Sequence, residues 1–110
     1  MDCLIIKKEH LDKIFSGKKT WEIRSSRTHK RGKIGLIQSG SGNIVGECEV
    51  VDCSDELTLE EYLKNKDKHC SENTKLTYKK TYAWVLKNAK RYSKPLKYKH
   101  PAGAIIWVKV

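Results

Sequence analysis

Apolar residues in this chain fall in short runs of period two, broken by glycines and polar turns, and take helical spacing at only a few places. Cys3 to Ile6 reads as a first strand. Leu11, Ile14 and Phe15 then sit at i, i+3, i+4, which predicts a short amphipathic helix over His10 to Ser16, and Gly17 supplies the left-handed residue that ends it. Alternation returns at Lys19 to Arg24, with Trp21 and Ile23 on one face and Thr20, Glu22 and Arg24 on the other. Ser25 to Gly32 is a polar, basic loop. Lys33 to Gln38 is the next strand, and Ser39-Gly40-Ser41-Gly42 turns the chain into a strand from Ile44 to Cys53. In that strand Ile44, Gly46, Cys48 and Val50 set the core face, while Val45, Glu47, Glu49 and Val51 alternate with them.

Asp55 and Thr58 are candidate caps of a second helix whose apolar side is Leu59 with Tyr62 and Leu63. Lys64 to Lys80 carries no clear period and fits either a short helix or a loop. Tyr82, Trp84 and Leu86 alternate with Ala83, Val85 and Lys87, a strand rich in aromatic residues. A further strand ends near Tyr92, with Lys94-Pro95 as a break, and Ala104 to Val110 alternates once more. Short strands, two or three short helices and no βαβ rhythm define an α+β chain, mostly β, built as a small and mainly antiparallel barrel. The pattern predicts that Cys3, Trp21, Ile23, Ile34, Leu36, Ile44, Cys48, Val50, Trp84, Ile106 and Val108 share its core.

At 110 residues, 38% of them hydrophobic, the chain has material for one core, so residues 1–110 are read as a single domain. No apolar run approaches the ~20 residues that span a bilayer and no signal-peptide pattern opens the chain, so no membrane role and a cytoplasmic location (nuclear in a eukaryote) are expected. Cys3, Cys48, Cys53 and Cys70 have no paired spacing and read as reduced, structural thiols. Neither they nor His10, His29, His69 and His100 give the spacing of a zinc site; no metal and no cofactor are expected.

Charge changes the picture more than composition does. The net charge of +10 is segregated: Lys7 to Lys33 holds ten bases against three acids, Gly42 to Glu61 seven acids and no base, and Lys64 to His100 twelve bases against two acids. Two basic segments that meet in the fold would suit a polyanion, nucleic acid above all. Lysine-rich surfaces also simply keep small domains soluble. The acidic 42–61 segment offers a protein partner a surface of the opposite sign.

The run Gly17-Lys18-Lys19-Thr20-Trp21-Glu22-Ile23-Arg24 joins a helix stop to a strand with charges among apolar residues. Its pattern G-x-K-x-x-E-x-R, together with the glycine-serine turn, Tyr82-Ala83-Trp84-Val85-Leu86 and Pro101 to Trp107, resembles the ASCH family, a branch of the PUA-like β-barrels. The resemblance covers nearly the whole chain. It implies a PUA-like barrel, an RNA or modified-nucleotide ligand, and a cleft lined by the residue at the position of Lys19.

Glu22 and Arg24 are natural partners, since arginine holds a carboxylate in a bidentate pair and leaves a nearby ammonium to meet a phosphate or base carbonyl. As a strand-end ammonium, Lys19 is expected to contribute little to the core. Lys19, Thr20, Glu22, Arg24, Ser39, Gly40, Ser41, Tyr82 and Trp84 are the candidate ligand-binding residues: the turn as an anion nest or a plain hairpin, and Tyr82 or Trp84 as a base-stacking platform or as core. If the protein is an enzyme, Lys19 and Glu22 are its acid/base pair, in an amidohydrolase or a ribonuclease. Members of the family that deacetylate N(4)-acetylcytidine keep the lysine but place a threonine where this chain has Glu22. Thr20 is not at the matching position. A third reading is an interaction module that recruits regulators of transcription.

Overall fold

The computed structural model describes residues 1–103 and 106–110, so Ala104 and Ile105, expected to begin the last strand, lie outside the described residues. The chain runs β1 (Asp2–Ile6), α1 (Lys8–Phe15), β2 (Trp21–Arg24), β3 (Gly32–Gln38), β4 (Asn43–Cys53), α2 (Leu59–Lys64), α3 (Lys66–His69), β5 (Tyr82–Lys97) and β6 (Val108–Lys109). All six strands form one sheet in the order β2-β5-β4-β3-β1-β6, curled into a half-barrel. Among the described residues only β1 and β3 pair in parallel, through the register Cys3 with Gly35 to Ile6 with Gln38. Because β6 covers only Asp2 and Cys3, the rest of β1 has an edge open toward β2. The barrel therefore has a gap between β1 and β2.

Helix α1 closes one end of that half-barrel. Leu11 and Ile14 are buried on its inner face, and Gly17, at φ 84°, takes the left-handed turn expected of it. Phe15 lands on Gly46 of β4, where any side chain would collide with the Phe15 ring and the Lys90 carbonyl. Leu4, Ile6, Leu11, Ile14, Ile34, Leu36, Val45, Cys48, Val50, Tyr82, Trp84 and Leu86 make the main core.

The expected face of β2 is reversed, and other elements depart from expectation in smaller ways. Glu22 lies opposite Trp84, whose ring is in the core, so Glu22 points into the barrel mouth; Trp21 and Ile23 point the other way and are half-buried against Leu57, Tyr62 and Ala83. Irregular register between Ile44 and Gly46 turns Val45 into the main core and leaves Ile44 in a second cluster with Cys3, Ile37 and Val108. In α2, Thr58 rather than Asp55 is the N-cap, in a capping box with Glu61, and of the expected apolar side only Tyr62 is buried; Leu59 and Leu63 face solvent because one and a half turns present a single inward position. Ile106 is exposed, since the last strand is just Val108–Lys109.

The break expected at Lys94-Pro95 is absent, and β5 continues to Lys97. Leu96 pairs with Ile44 and Arg91 with Gly46, so residues 92–95 bulge away from β4 and Pro95 removes no ladder hydrogen bond. All four cysteines are unbridged; burial pushes the Cys48 thiol up to about 12, which makes it inert as a nucleophile.

Gly46→Ala is expected to lower stability by about 1–3 kcal/mol, because neither a backbone carbonyl nor a packed ring gives way easily. The measurement is the urea midpoint at neutral pH; an unchanged midpoint would show that α1 is not seated as described.

Candidate functional site

The gap between β1 and β2 opens into a cleft of about 430 Å³. One wall is the end of β1 (Ile5, Ile6) with Lys7 and His10; the floor is Lys19, Glu22, Ile23 and Arg24; the far wall is Tyr62 with Ser71, Asn73, Thr77 and Tyr78. The chain between α3 and β5, which lacked a legible period, is thus half of the site.

Lys19 is only 4% exposed. Its Nζ donates to the His69 carbonyl at 2.9 Å and lies 3.8 Å from Glu22 Oε1, an ion pair too long to be a hydrogen bond. Glu22, 8% exposed, accepts at its other oxygen from Arg24 Nε at 3.0 Å, and a terminal nitrogen of the same guanidinium completes the ion pair at 3.0 Å. The same guanidinium reaches across the gap to the Ile5 carbonyl at 3.3 Å. Arg24 therefore staples the unpaired edges of β1 and β2 while bracing the carboxylate. Desolvation by burial pulls the Lys19 ammonium below its ordinary pKa, and the Glu22 charge opposes that pull.

Backbone bonds fix Lys19 in turn. Its N–H donates to the Lys13 carbonyl near the end of α1, and the Thr20 N–H donates to the Lys68 carbonyl of α3. In the loop at the end of α3, Ser71 N–H donates to His69 Nδ1 at 3.0 Å, leaving Nε2–H to donate to the Tyr62 carbonyl at 2.7 Å, with the two rings stacked 4.0 Å apart. The ring is accordingly neutral, and burial holds its pKa below the usual imidazole value. His10 is held down too, first by burial and then by the Lys19 charge.

Of the candidate binding residues, the structure brings Lys19, Glu22 and Arg24 together in the cleft. Thr20 lines a smaller cavity beside Phe15 and Leu86 instead. Ser39, Gly40 and Ser41 form the β3–β4 turn outside the cleft lining: Ser41 Oγ donates to the Gln38 carbonyl and accepts from Asn43 N–H, so the hydroxyl is used within the turn. Trp84 is core, stacked on Trp107 at 5.6 Å with Nε1 donating to the Ser26 carbonyl. Tyr82 is buried with the Arg27 guanidinium over its ring. The aromatic residues that line the cleft are Tyr62 and Tyr78. A signal for Tyr78 existed only in its polar, basic surroundings; none pointed to Tyr62.

The charge segregation of the sequence is largely dissolved by the fold. The acids of β4 lie between basic neighbours: Glu49 opposite Lys33 and Lys87, and Glu47 3.2 Å from Lys33. Arg31 reaches Asp52 at 3.8 Å and Arg27 reaches Asp55 at 3.3 Å. Among the described residues no group of three His, Cys, Asp or Glu side chains is placed to hold a metal, and no helix is long and apolar enough to cross a membrane.

The ASCH domain family profile matches residues 4–96, and the chain belongs to that family. Its fold is similar to the crystal structure of ASCH from Zymomonas mobilis, with a TM-score of 0.69 at 16% identity over 87% of this chain and 72% of that one. A serine-to-alanine variant of the Zymomonas protein superposes with a TM-score of 0.72 at 16% identity, covering 98% of this chain and 87% of the other. No curated protein matches the chain in sequence.

Two consequences can be measured. Lys19 is not the dispensable strand-end cation the sequence implied: Lys19→Met leaves the His69 carbonyl without its donor and Glu22 with Arg24 alone, and is expected to cost about 1–3 kcal/mol. Adding Glu22→Gln should recover part of the loss in a denaturation cycle, and strictly additive effects would deny the coupling. His10 and His69 have folded pKa values below their unfolded ones, so their contribution is complete above about pH 6.5 and lost as pH falls through the folded values. Urea midpoints should be level from pH 8 to 7 and decline below about 6.5, with a smaller decline in the His10→Gln/His69→Gln double variant. A level profile down to pH 5 would contradict the neutral, buried assignment.

Proposed function

We propose that this ASCH domain binds RNA or a modified nucleotide, with a base in the cleft over Lys19, Glu22 and Arg24 and the flanking lysines on phosphates. The observation that carries the reading is a buried cation and carboxylate held rigidly at the floor of an open cleft, beneath a half-exposed tyrosine. Such a floor offers a donor and an acceptor side by side, the chemistry of a base edge. Tyr78 offers a ring for stacking, and Lys75, Lys79 and Lys80 beside it form no ion pair among the described residues.

A second reading, hydrolysis of an amide or phosphodiester in RNA, is favoured by the lowered Lys19 pKa beside Glu22, the pairing an acid/base couple needs. Incubating the protein with total RNA and with acetylated nucleosides, followed by mass analysis, separates the two. New products indicate an enzyme; ligand retained without turnover indicates a binder.

For binding, affinity for single-stranded RNA should fall steeply with salt, and Lys79→Gln/Lys80→Gln should reduce the log–log slope by about 1.4, roughly 0.7 for each phosphate left without its cation. Tyr78→Ala should weaken binding by about 1–3 kcal/mol, roughly 5- to 150-fold, with little change in stability. Salt-independent affinity, or no binding at low salt, would remove this reading.

A further inference from the structure

Among the described residues, His10 holds the only buried side-chain polar atom without a hydrogen-bond partner. Its Nδ1 is buried and has no hydrogen-bond partner, and Nε2 makes no hydrogen bond among the described residues either, although the side chain lines the cleft. Nε2 is not buried, so a proton there can reach water or a ligand, whereas on Nδ1 it would be a buried N–H with no acceptor, the rarer kind of orphan. The proton of a neutral His10 therefore belongs on Nε2, leaving Nδ1 as the bare, buried nitrogen.

That choice sets the chemistry on this side of the cleft. Lys19 spends one of its three N–H bonds on the His69 carbonyl, and Glu22 spends Oε2 on Arg24, so what faces the cleft is ammonium N–H together with Oε1. Resting on the proposed reading of the cleft as a base site, we infer that His10 is a ligand-contacting residue: its Nε2–H and the Lys19 ammonium together hold a carbonyl oxygen of the ligand, while Glu22 Oε1 accepts the adjacent N–H. An oxygen has two lone pairs for two donors; a ring nitrogen has one. The ligand class is a lactam edge, an N–H next to a C=O, as in uracil and guanine. Adenine offers a ring nitrogen in place of the carbonyl, and in cytosine the atom beside the carbonyl is an acceptor that Glu22 would repel.

The test uses uridine, guanosine, adenosine and cytidine monophosphates as probes, titrated into the full chain by calorimetry, with ¹⁵N spectra of the histidine rings. Uridine and guanosine nucleotides should bind about tenfold or more tightly than the other two. His10→Phe should abolish that preference, and His10→Gln, whose amide can donate in place of Nε2–H, should retain most of it. The spectra of the unliganded protein should show His10 protonated on Nε2 alone. Binding without preference, a preference unaffected by His10→Phe, or an Nδ1–H tautomer overturns the inference while leaving the cleft a nucleotide site. Failure of the wild-type protein to bind any of the four, or any RNA at low salt, removes the reading beneath it as well.

Discussion

Everything around the cleft depends on one buried ammonium. Lys19 ties three elements at one point: its amide to the end of α1, its side chain to the carbonyl that ends α3, and its charge to Glu22 on β2. A cation this deeply buried must be compensated, and the compensation dictates the neighbourhood. The His69 carbonyl faces Lys19 because the chain turns at Cys70, a non-glycine residue at φ 59°, and because the imidazole is pinned between the Tyr62 carbonyl and the Ser71 amide. The cleft wall from Ser71 to Tyr78 starts from that pin. Arg24 completes the arrangement by bridging to β1 where the sheet itself does not close.

The open side of the half-barrel follows from strand lengths. β2 has four residues and pairs only with the start of β5; β6 has two and covers only the start of β1. A fully closed barrel would have filled the space with main-chain hydrogen bonds. Here polar side chains span the gap, and the concavity beside them is large enough to take a base. The rest of the sheet is pinned by bulges, at Leu36/Ile37 and along β4–β5, that bend it around α1.

Much of this was legible in the sequence. Period-two runs located β1 to β4 and the start of β5, the spacing of Leu11, Ile14 and Phe15 located α1, and the G-x-K-x-x-E-x-R run marked the cleft floor. The reversal of β2 has a plain cause. A period of two says which residues share a face but not which face is inside, and the apolar pair Trp21 and Ile23 drew the core to the wrong side. The interior tolerates Glu22 because Lys19 and Arg24 meet it there. The Ser71–Tyr78 wall had no period because side-chain bonds to neighbouring main chain, not packing, shape it: Asn73 N–H bonds Ser71 Oγ and the Asn73 amide bonds Thr77. Charge segregation along the chain does not carry over directly into the fold, since antiparallel pairing sets the acidic residues of β4 between basic ones.

The central claim is that the β1–β2 gap, floored by the Lys19–Glu22–Arg24 group, is where this ASCH domain receives its ligand. Backbone amide shifts recorded during titration with a short single-stranded RNA test it most directly, because they report location without altering a residue. The account predicts the largest changes at His10, Lys19 to Arg24 and Ser71 to Tyr78, on both walls of the cleft. Changes confined to the lysine-bearing far end of β5, with the cleft residues unmoved, would contradict it.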